Sequence, residues 1–372
     1  DIQDQWFTHF FNKHFNGCTI VPPNETPDIL MCSCFGPIVN VIKTNAKCKI
    51  YFCGENPDRF PPYNSDKLLY NAFDVILSFK NSNPEKNQIR FPLWLIYYNF
   101  YDCDNANNLL GYLQESYNKN IKKQKSMLAT LVASHDANGI RNILTNKMEK
   151  YGKVWCGGRY RNNVGNIGNT VSDKINFISN SVFNICPENS ISEGYCTEKI
   201  IHALEAGTIP IYWGQENPEQ NIINKNKFCF CNIINQNILD SQIHDVVNNK
   251  NKYIEGDLFT KDAHIHLKKI YDDLKTTVEK ILSEHQFNNI NNPCLKIKGV
   301  GNGLGDRLGL YLIYGMLGYI YNKDIYTYWI HDDHRGREYP ENISDYINFP
   351  NNLKFVSRDE FNKLDCETLK FR

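Results

Sequence analysis

The sequence predicts an α/β protein built on parallel sheets, with two Rossmann-like domains facing a cleft and a partial third α/β segment near its C-terminal end. Three observations lead there. Short apolar runs alternate with helix-like segments along the whole chain, the pattern left by buried strands and their crossover helices. The 372 residues exceed the ~250–300 at which a single hydrophobic core stops growing. The alternation also restarts twice, at Ser126 and at Cys294.

Residues 26–33 (TPDILMCS), 47–53 (KCKIYFC) and 73–78 (FDVILS) read as short buried strands, with a Pro-rich loop at 56–64 between the last two. After 94–101 the stretch 105–125 turns polar and Lys-rich. It serves as the junction closing a first domain, 1–125. The second domain, 126–290, has strands at 127–134 (MLATLVAS), 153–156, 182–186 and 209–213. Its helices are read at 139–150, at about 197–206 with Gly207 as the stop, and at about 262–283. Ser172 is read as the cap of a further helix, with Asp173 in the first turn where the dipole favours it. From 294 to 372 a strand (295–300), a Gly-rich loop (GVGNGLGDR, 299–307), a helix to about 321 and a strand (325–330) form a first βαβ unit. It reads as the front of an incomplete module.

Charge and composition exclude some classes. With 41 basic and 41 acidic side chains the formal net charge is zero, against a protein built around a nucleic-acid backbone. No apolar run approaches the ~20 residues of a membrane span. The chain opens on Asp1, so an upstream anchor or signal is compatible with it. Its 13 cysteines are odd in number and show no CxxC spacing, which favours buried reduced thiols in an intracellular protein over a zinc or disulfide framework.

The segment 188–214, ENSISEGYCTEKIIHALEAGTIPIYWG, carries the most information. A helix opens near Thr197. Glu198 suits its positive pole, but Lys199 beside it does not unless an anion sits there; the alternative is a lysine pointing to solvent. Arg141, after the turn 135–139, and Arg161, after GGRY, also follow strands. Together the three cations form a plausible diphosphate clamp, although each alone reads as an ordinary surface charge.

The run EGYCTEKIIHALEAGTIPIYWG resembles the signature of the α1,3-fucosyltransferases of glycosyltransferase family 10, especially the bacterial type. YFCGENP (51–57), IRFPLW (89–94), LVASHDANGIRN (131–142) and CGGRYRN (156–162) fall in that family's order, so the resemblance covers roughly 25–285. It implies a GT-B fold with an acceptor domain followed by a GDP-fucose-binding domain. The implied reaction is inverting transfer of fucose from GDP-β-fucose to a glycan hydroxyl, such as O3 of an N-acetylglucosamine or glucose unit. By position, Arg141 and Lys199 contact the diphosphate, Asn189, Tyr195 and Glu198 hold nucleotide or fucose, and Glu55 is the general base. Acceptor attack on an oxocarbenium-like centre needs such a carboxylate. Two cations neutralise departing GDP, so no metal or other cofactor is required. The expected partners are GDP-fucose and an oligosaccharide or glycoconjugate acceptor, with no nucleic acid. The expected place is the cytoplasm or the cytoplasmic face of a membrane, with a lumenal Golgi-type enzyme lacking its anchor as the alternative. Rival readings are a catalytically silent GT-B scaffold and a transferase for another GDP-sugar.

Weaker signals remain. Asp102-Cys103-Asp104 has the DxD form of metal-dependent enzymes of another fold, but lies in the polar junction. His331-Asp332-Asp333-His334 reads as a solvated loop, and His264 with His266 do not share a helix face. GNGLGDRLG is similar to the opening of the fucosyltransferases that make α1,2, α1,6 or protein O-linked fucose.

Overall fold

The computed structural model describes residues 2–15, 17–22, 24–101, 106–284, 294–297, 311, 324–328, 353–364 and 367–369. The chain divides into two compact units, Asp1–Leu282 and Ser283–Arg372.

Helix α1 (Ile2–His14) opens the first unit. Strand β1 (Ile29–Cys32), α2 (Ile38–Lys43), β2 (Cys48–Phe52), α3 (Asp66–Ala72), β3 (Val75–Ser78) and β4 (Gln88–Arg90) follow. The four strands form one sheet in the order β1-β2-β3-β4, every pair parallel. All four residues of β3 are buried, as an inner strand covered on both faces demands. The polar stretch expected as a junction forms the helix α4 (Ala106–Ile121), which in the chain lies between the first sheet and the second. Leu109, Leu110, Leu113 and Tyr117 recur at helical spacing and are buried, while Asn and Lys residues occupy much of the other face.

The second sheet alternates β5 (Met127–Leu131), α5 (Ile140–Glu149), β6 (Val154–Cys156), α6 (Val171–Ile178), β7 (Ser181–Ile185), α7 (Glu198–Glu205), β8 (Ile209–Tyr212) and β9 (Cys229–Phe230). Its order is β6-β5-β7-β8-β9, again all parallel. The winding reverses between β5 and β7, because α5 leads to one side of β5 and α7 to the other. Such a reversal opens a crevice beyond the carboxyl ends of the two strands. Two local details matter. Helix α6 is capped by Thr170, not Ser172: Thr170 Oγ1 accepts from Asp173 N at 3.1 Å, and Asp173 Oδ2 accepts from Thr170 N at 3.0 Å. Helix α7 stops at Gly207, whose φ of +63° suits glycine, and where a Cβ would lie 2.3 Å from Ile121 N of α4.

Helices α8 (Gln236–Asn248), α9 (Asn251–Ile254) and α10 (Ala263–Glu284) complete this unit. Leu144 and Met148 of α5 and Leu239 and Ile243 of α8 share a core with the second sheet. A larger core joins α1, the first sheet, α4, α7 and α10 through Trp6, Phe10, Leu77, Leu109, Ile200, Leu204, Leu267 and Leu274. Trp6 Nε1 donates to Tyr98 O at 3.1 Å, and Tyr271 of α10 donates to Phe100 O at 3.0 Å.

In the second unit, β10 (Cys294–Ile297), β11 (Asp324–Thr327), β12 (Leu353–Phe355) and β13 (Glu367–Leu369) form a parallel sheet in the order β12-β11-β10-β13. β10 and β11 overlap the strands expected there. The Gly-rich stretch 299–307, most of the helix expected after it, Asp102-Cys103-Asp104 and the 331–334 cluster lie outside the described residues. The ten cysteines whose side chains are described are free thiols, buried except for Cys18 and Cys32. No helix among the described residues is long and apolar enough to cross a membrane.

Candidate active site

The loops leaving β5 and β7 meet at the point where the sheet reverses. Arg141, in the first turn of α5, is 6% exposed, and its Nη2 donates to Asn189 Oδ1 at 2.7 Å. Its Nη1 donates to the carbonyl of His135. Asn138 Nδ2 adds a bond to Asn189 O at 3.0 Å, so the two loops hold each other. Burial pulls the Arg141 guanidinium below its ordinary value, opposed by Asp136 and Glu188; at neutral pH it stays charged. Arg141, Lys174, Cys186, Pro187 and Lys199 line one pocket beyond these strand ends.

The first turn of α7 explains its own lysine. Glu188, just after β7, is 1% exposed and accepts from Thr197 N and Thr197 Oγ1, both at 2.8 Å, and from Lys199 Nζ at 3.0 Å. The sequence left Lys199 at the positive helix pole either beside an anion or pointing to solvent, and Glu188 supplies a carboxylate from within the protein. Burial pulls the Lys199 ammonium down, but Glu188 and Glu198 outweigh it and hold it above its usual value. Burial would likewise raise Glu198; Lys199 and Lys174 overcome this and keep it well below the usual carboxylate range. Lys174 Nζ lies 3.5 Å from Glu198 Oε1. Two partly buried ammonium groups, Lys174 and Lys199, therefore line the pocket, backed by the buried Glu188 and the partly buried Glu198.

Glu55 approaches from the first sheet, two residues beyond the Cys53 that follows β2. It is half-buried, and its carbonyl accepts from Cys53 Sγ at 3.0 Å. Its loop is stitched to the loop after β7. Asn56 Nδ2 donates to Ser190 Oγ at 2.8 Å, one residue from Asn189, and Ser192 Oγ donates to Asp58 Oδ2 at 2.9 Å. Tyr195 is 1% exposed, with its ring edge-on to Phe79 at 4.8 Å. Burial first, then Glu188 and Glu55, pushes its hydroxyl up against the pull of Lys199, so the Glu55 charge is felt at the far side of the loop.

The structure thus joins Arg141 to Asn189 and sets Lys199 along the same pocket, with Glu198 3.5 Å from the Lys174 that lines it. Tyr195 and Glu55 stand where the two sheets' loops meet. Arg161 has other company. With φ of +53° it turns to donate to Asn146 Oδ1 at 2.8 Å and to pair with Glu149 at 2.7 Å, both on α5. The cation that lines the pocket with Arg141 and Lys199 is Lys174. Sequence reasoning passed over Lys174 because it lies mid-helix, where lysine ordinarily faces solvent, and passed over Glu188 because a single carboxylate after a strand carries no pattern. Cys196 is buried at 1% exposure. Among the described residues, no three His, Cys, Asp or Glu side chains gather as a metal site needs.

Comparison with known proteins places this geometry. Residues 1–97 match the family model for the α-(1,3)-fucosyltransferase FucT N-terminal domain. Residues 121–285 match that for glycosyltransferase family 10 (fucosyltransferase), C-terminal part. The α-(1,3)-fucosyltransferase FucT of Helicobacter pylori is 26% identical over 293 residues, 69% of this chain. The chain spans 58% of the length of that relative. Crystal structures of an α1,3-fucosyltransferase superpose with a TM-score of 0.54 (24% identity) and, for the GDP complex, 0.52 (25% identity). Each covers 75% of this chain and 86% of the solved one. The fold of the first unit is therefore GT-B. With one family model on each of the two sheets of the first unit, in chain order and together taking in well over half of the residues, the chain belongs to glycosyltransferase family 10, the fucosyltransferases.

Proposed function

We propose that the chain is an inverting fucosyltransferase that moves L-fucose from GDP-β-L-fucose to a hydroxyl of a glycan acceptor, O3 of N-acetylglucosamine or glucose, without a metal. The observation that carries this reading is the switch-point cluster: Arg141 bonded to Asn189 at 2.7 Å, with Lys174 and Lys199 lining the same pocket. Nucleotide ligands bind in such a switch-point crevice, and a sugar nucleotide is of that class. A crystal structure of a related α1,3-fucosyltransferase has been solved with GDP-fucose, which supports that donor.

In this reading Arg141, Lys174 and Lys199 offset the charge that grows on the diphosphate as the glycosidic bond breaks. Their charge is in place beforehand, so little reorganisation accompanies the reaction. Asn189, Tyr195 and Glu198 orient nucleotide and fucose. Glu55 takes the acceptor proton as the hydroxyl attacks the opposite face of the sugar.

The test is transfer from a panel of GDP- and UDP-sugars to N-acetyllactosamine and lactose with EDTA present, read by mass spectrometry. The expected result is a gain of one deoxyhexose with GDP-fucose only. Transfer from another GDP-sugar reassigns the donor, and GDP-fucose binding without transfer turns the site into a scaffold. Glu55→Ala should lower turnover by about a hundredfold or more while GDP-fucose affinity stays within about threefold. Equal loss of both would make Glu55 structural.

A further inference from the structure

We infer that Arg90 is a positioning residue for the transfer: a guanidinium clamp that fixes the donor-side loop 188–197 against the acceptor-side sheet. The inference rests on the fucosyl-transfer reading of this cleft. Arg90 ends β4, the edge strand of the first sheet. Its side chain reaches three separate segments. Nη1 donates to the carbonyl of Phe79, just after β3, and to Gly194 O at 3.2 Å in the donor-side loop. Nη2 donates to Glu219 Oε1 at 2.6 Å, in the segment after β8. The planar fork of a guanidinium can serve all three acceptors at once; a lysine ammonium cannot match that geometry.

The partners fit this task. The Glu219 side chain is 2% exposed, and a carboxylate buried so deeply needs a cation beside it. Gly194 has φ of +68°, and a Cβ on it would stand 2.0 Å from Phe79 O and 2.5 Å from Arg90 Nη1. The loop backbone is therefore drawn as close to the clamp as only glycine allows. The Gly194 N–H in turn donates to Gln215 Oε1, so the peptide groups on both sides of this residue are held.

What the clamp fixes is a separation. Tyr195 follows Gly194 and sits on Phe79, and Glu198 and Lys199 come three and four residues after Tyr195. On the other side, Phe79 follows β3, which pairs with β2, and β2 leads to Glu55. Arg90 thus sets the distance between the strand ends that carry the base and the loop that carries the donor contacts. The Arg90 side chain is 21% exposed, while its neighbours Ile89 and Phe91 belong to the apolar core, so changing Arg90 alters the polar clamp and no core side chain.

The test uses the full chain and Arg90→Gln. Turnover is normalised to the GDP-binding stoichiometry from calorimetry, and hydrogen exchange is followed by mass spectrometry. We expect turnover per GDP-binding molecule to fall by about a hundredfold, the scale of a misplacement near 1 Å. Exchange should rise in 188–197 and stay unchanged in 127–131 and 140–149. Unchanged exchange in 188–197, or wild-type turnover per GDP-binding molecule, overturns the inference. Should Arg90→Gln not fold, Arg90→Lys keeps a charge opposite Glu219 but loses the fork, and the same two readings decide. A wild-type chain that transfers no fucose defeats the functional reading, while the exchange measurement still decides whether the clamp exists.

Discussion

His202 of α7 is a histidine that the fold keeps neutral. It is 1% exposed, and its Nδ1 lies 3.2 Å from Lys174 Nζ. An ammonium can only donate, so the ring proton belongs on Nε2, which is buried without a hydrogen-bond partner. Burial first, and Lys174 next, pull its folded-state pKa from 6.5 to about 3. Below pH 6.5 the unfolded chain takes up a proton that the folded chain refuses. Stability is therefore lost as pH falls between about 6.5 and 3, at up to ~1.4 kcal/mol per pH unit. His202→Asn keeps an acceptor for Lys174 and has no proton to gain, so its urea stability should fall less steeply over that window. Parallel slopes for the two proteins would refute the assignment. The same residue scale shows what a sequence hides. Arg141, Arg161 and Lys199 all follow strands, yet only the course of each loop decides where a cation ends. Arg161 turns back onto Glu149, and Lys174 reaches the pocket from a helix that gave no sign of it.

Elements were more legible than side chains, because burial periodicity and stop signals are local. The strands at β2, β3, β5 and β7 and the Gly207 stop could be read directly, since short apolar runs and a positive-φ glycine carry their own reason. α4 was not, because its Asn and Lys content masked the Leu109, Leu110, Leu113 and Tyr117 stripe. The start of α6 shows how close such readings come. Ser172 and Thr170 are both good caps, and what decides is that the Thr170 hydroxyl accepts from Asp173 N, three residues on, while Ser172 lies inside the first turn. Removing the cap hydroxyl with Thr170→Ala should cost about 1 kcal/mol by thermal unfolding. Ser172→Ala should change stability by less than about 0.5 kcal/mol. The reverse order of the two effects would restore Ser172 as the cap. α6 also carries Lys174, so a frayed first turn should weaken GDP binding in Thr170→Ala more than in Ser172→Ala.

At the scale of the first unit, the larger core runs from the first sheet through α4, α7 and α10 to Tyr212 of β8, while the second sheet also keeps a core of its own with α5 and α8. α1 comes from the beginning of the chain and α10 from beyond the second sheet, yet Trp6 and Tyr271 stand 5.9 Å apart between ring centroids. Tyr98 and Tyr112 both donate to the buried Glu205 carboxylate at the end of α7, at 2.7 and 2.9 Å, tying the segment after the first sheet to the second. A cleft between two sheets is useful to a transferase only if the groups on its two walls keep their spacing, and this shared core supplies the stiffness. It follows that the halves should not unfold separately. Leu274 of α10 is 0% exposed in that core, so Leu274→Ala removes apolar contacts that neither sheet alone contains. The expected cost is about 2–5 kcal/mol. In hydrogen exchange along a urea series, peptides from β2 and β7 should lose protection at one common midpoint, and Leu274→Ala should move both by the same amount. If β2 shifts while β7 keeps its midpoint, the core divides between the halves, and the fixed spacing of the cleft must come from the loop contacts around Arg90 and Asn56 alone.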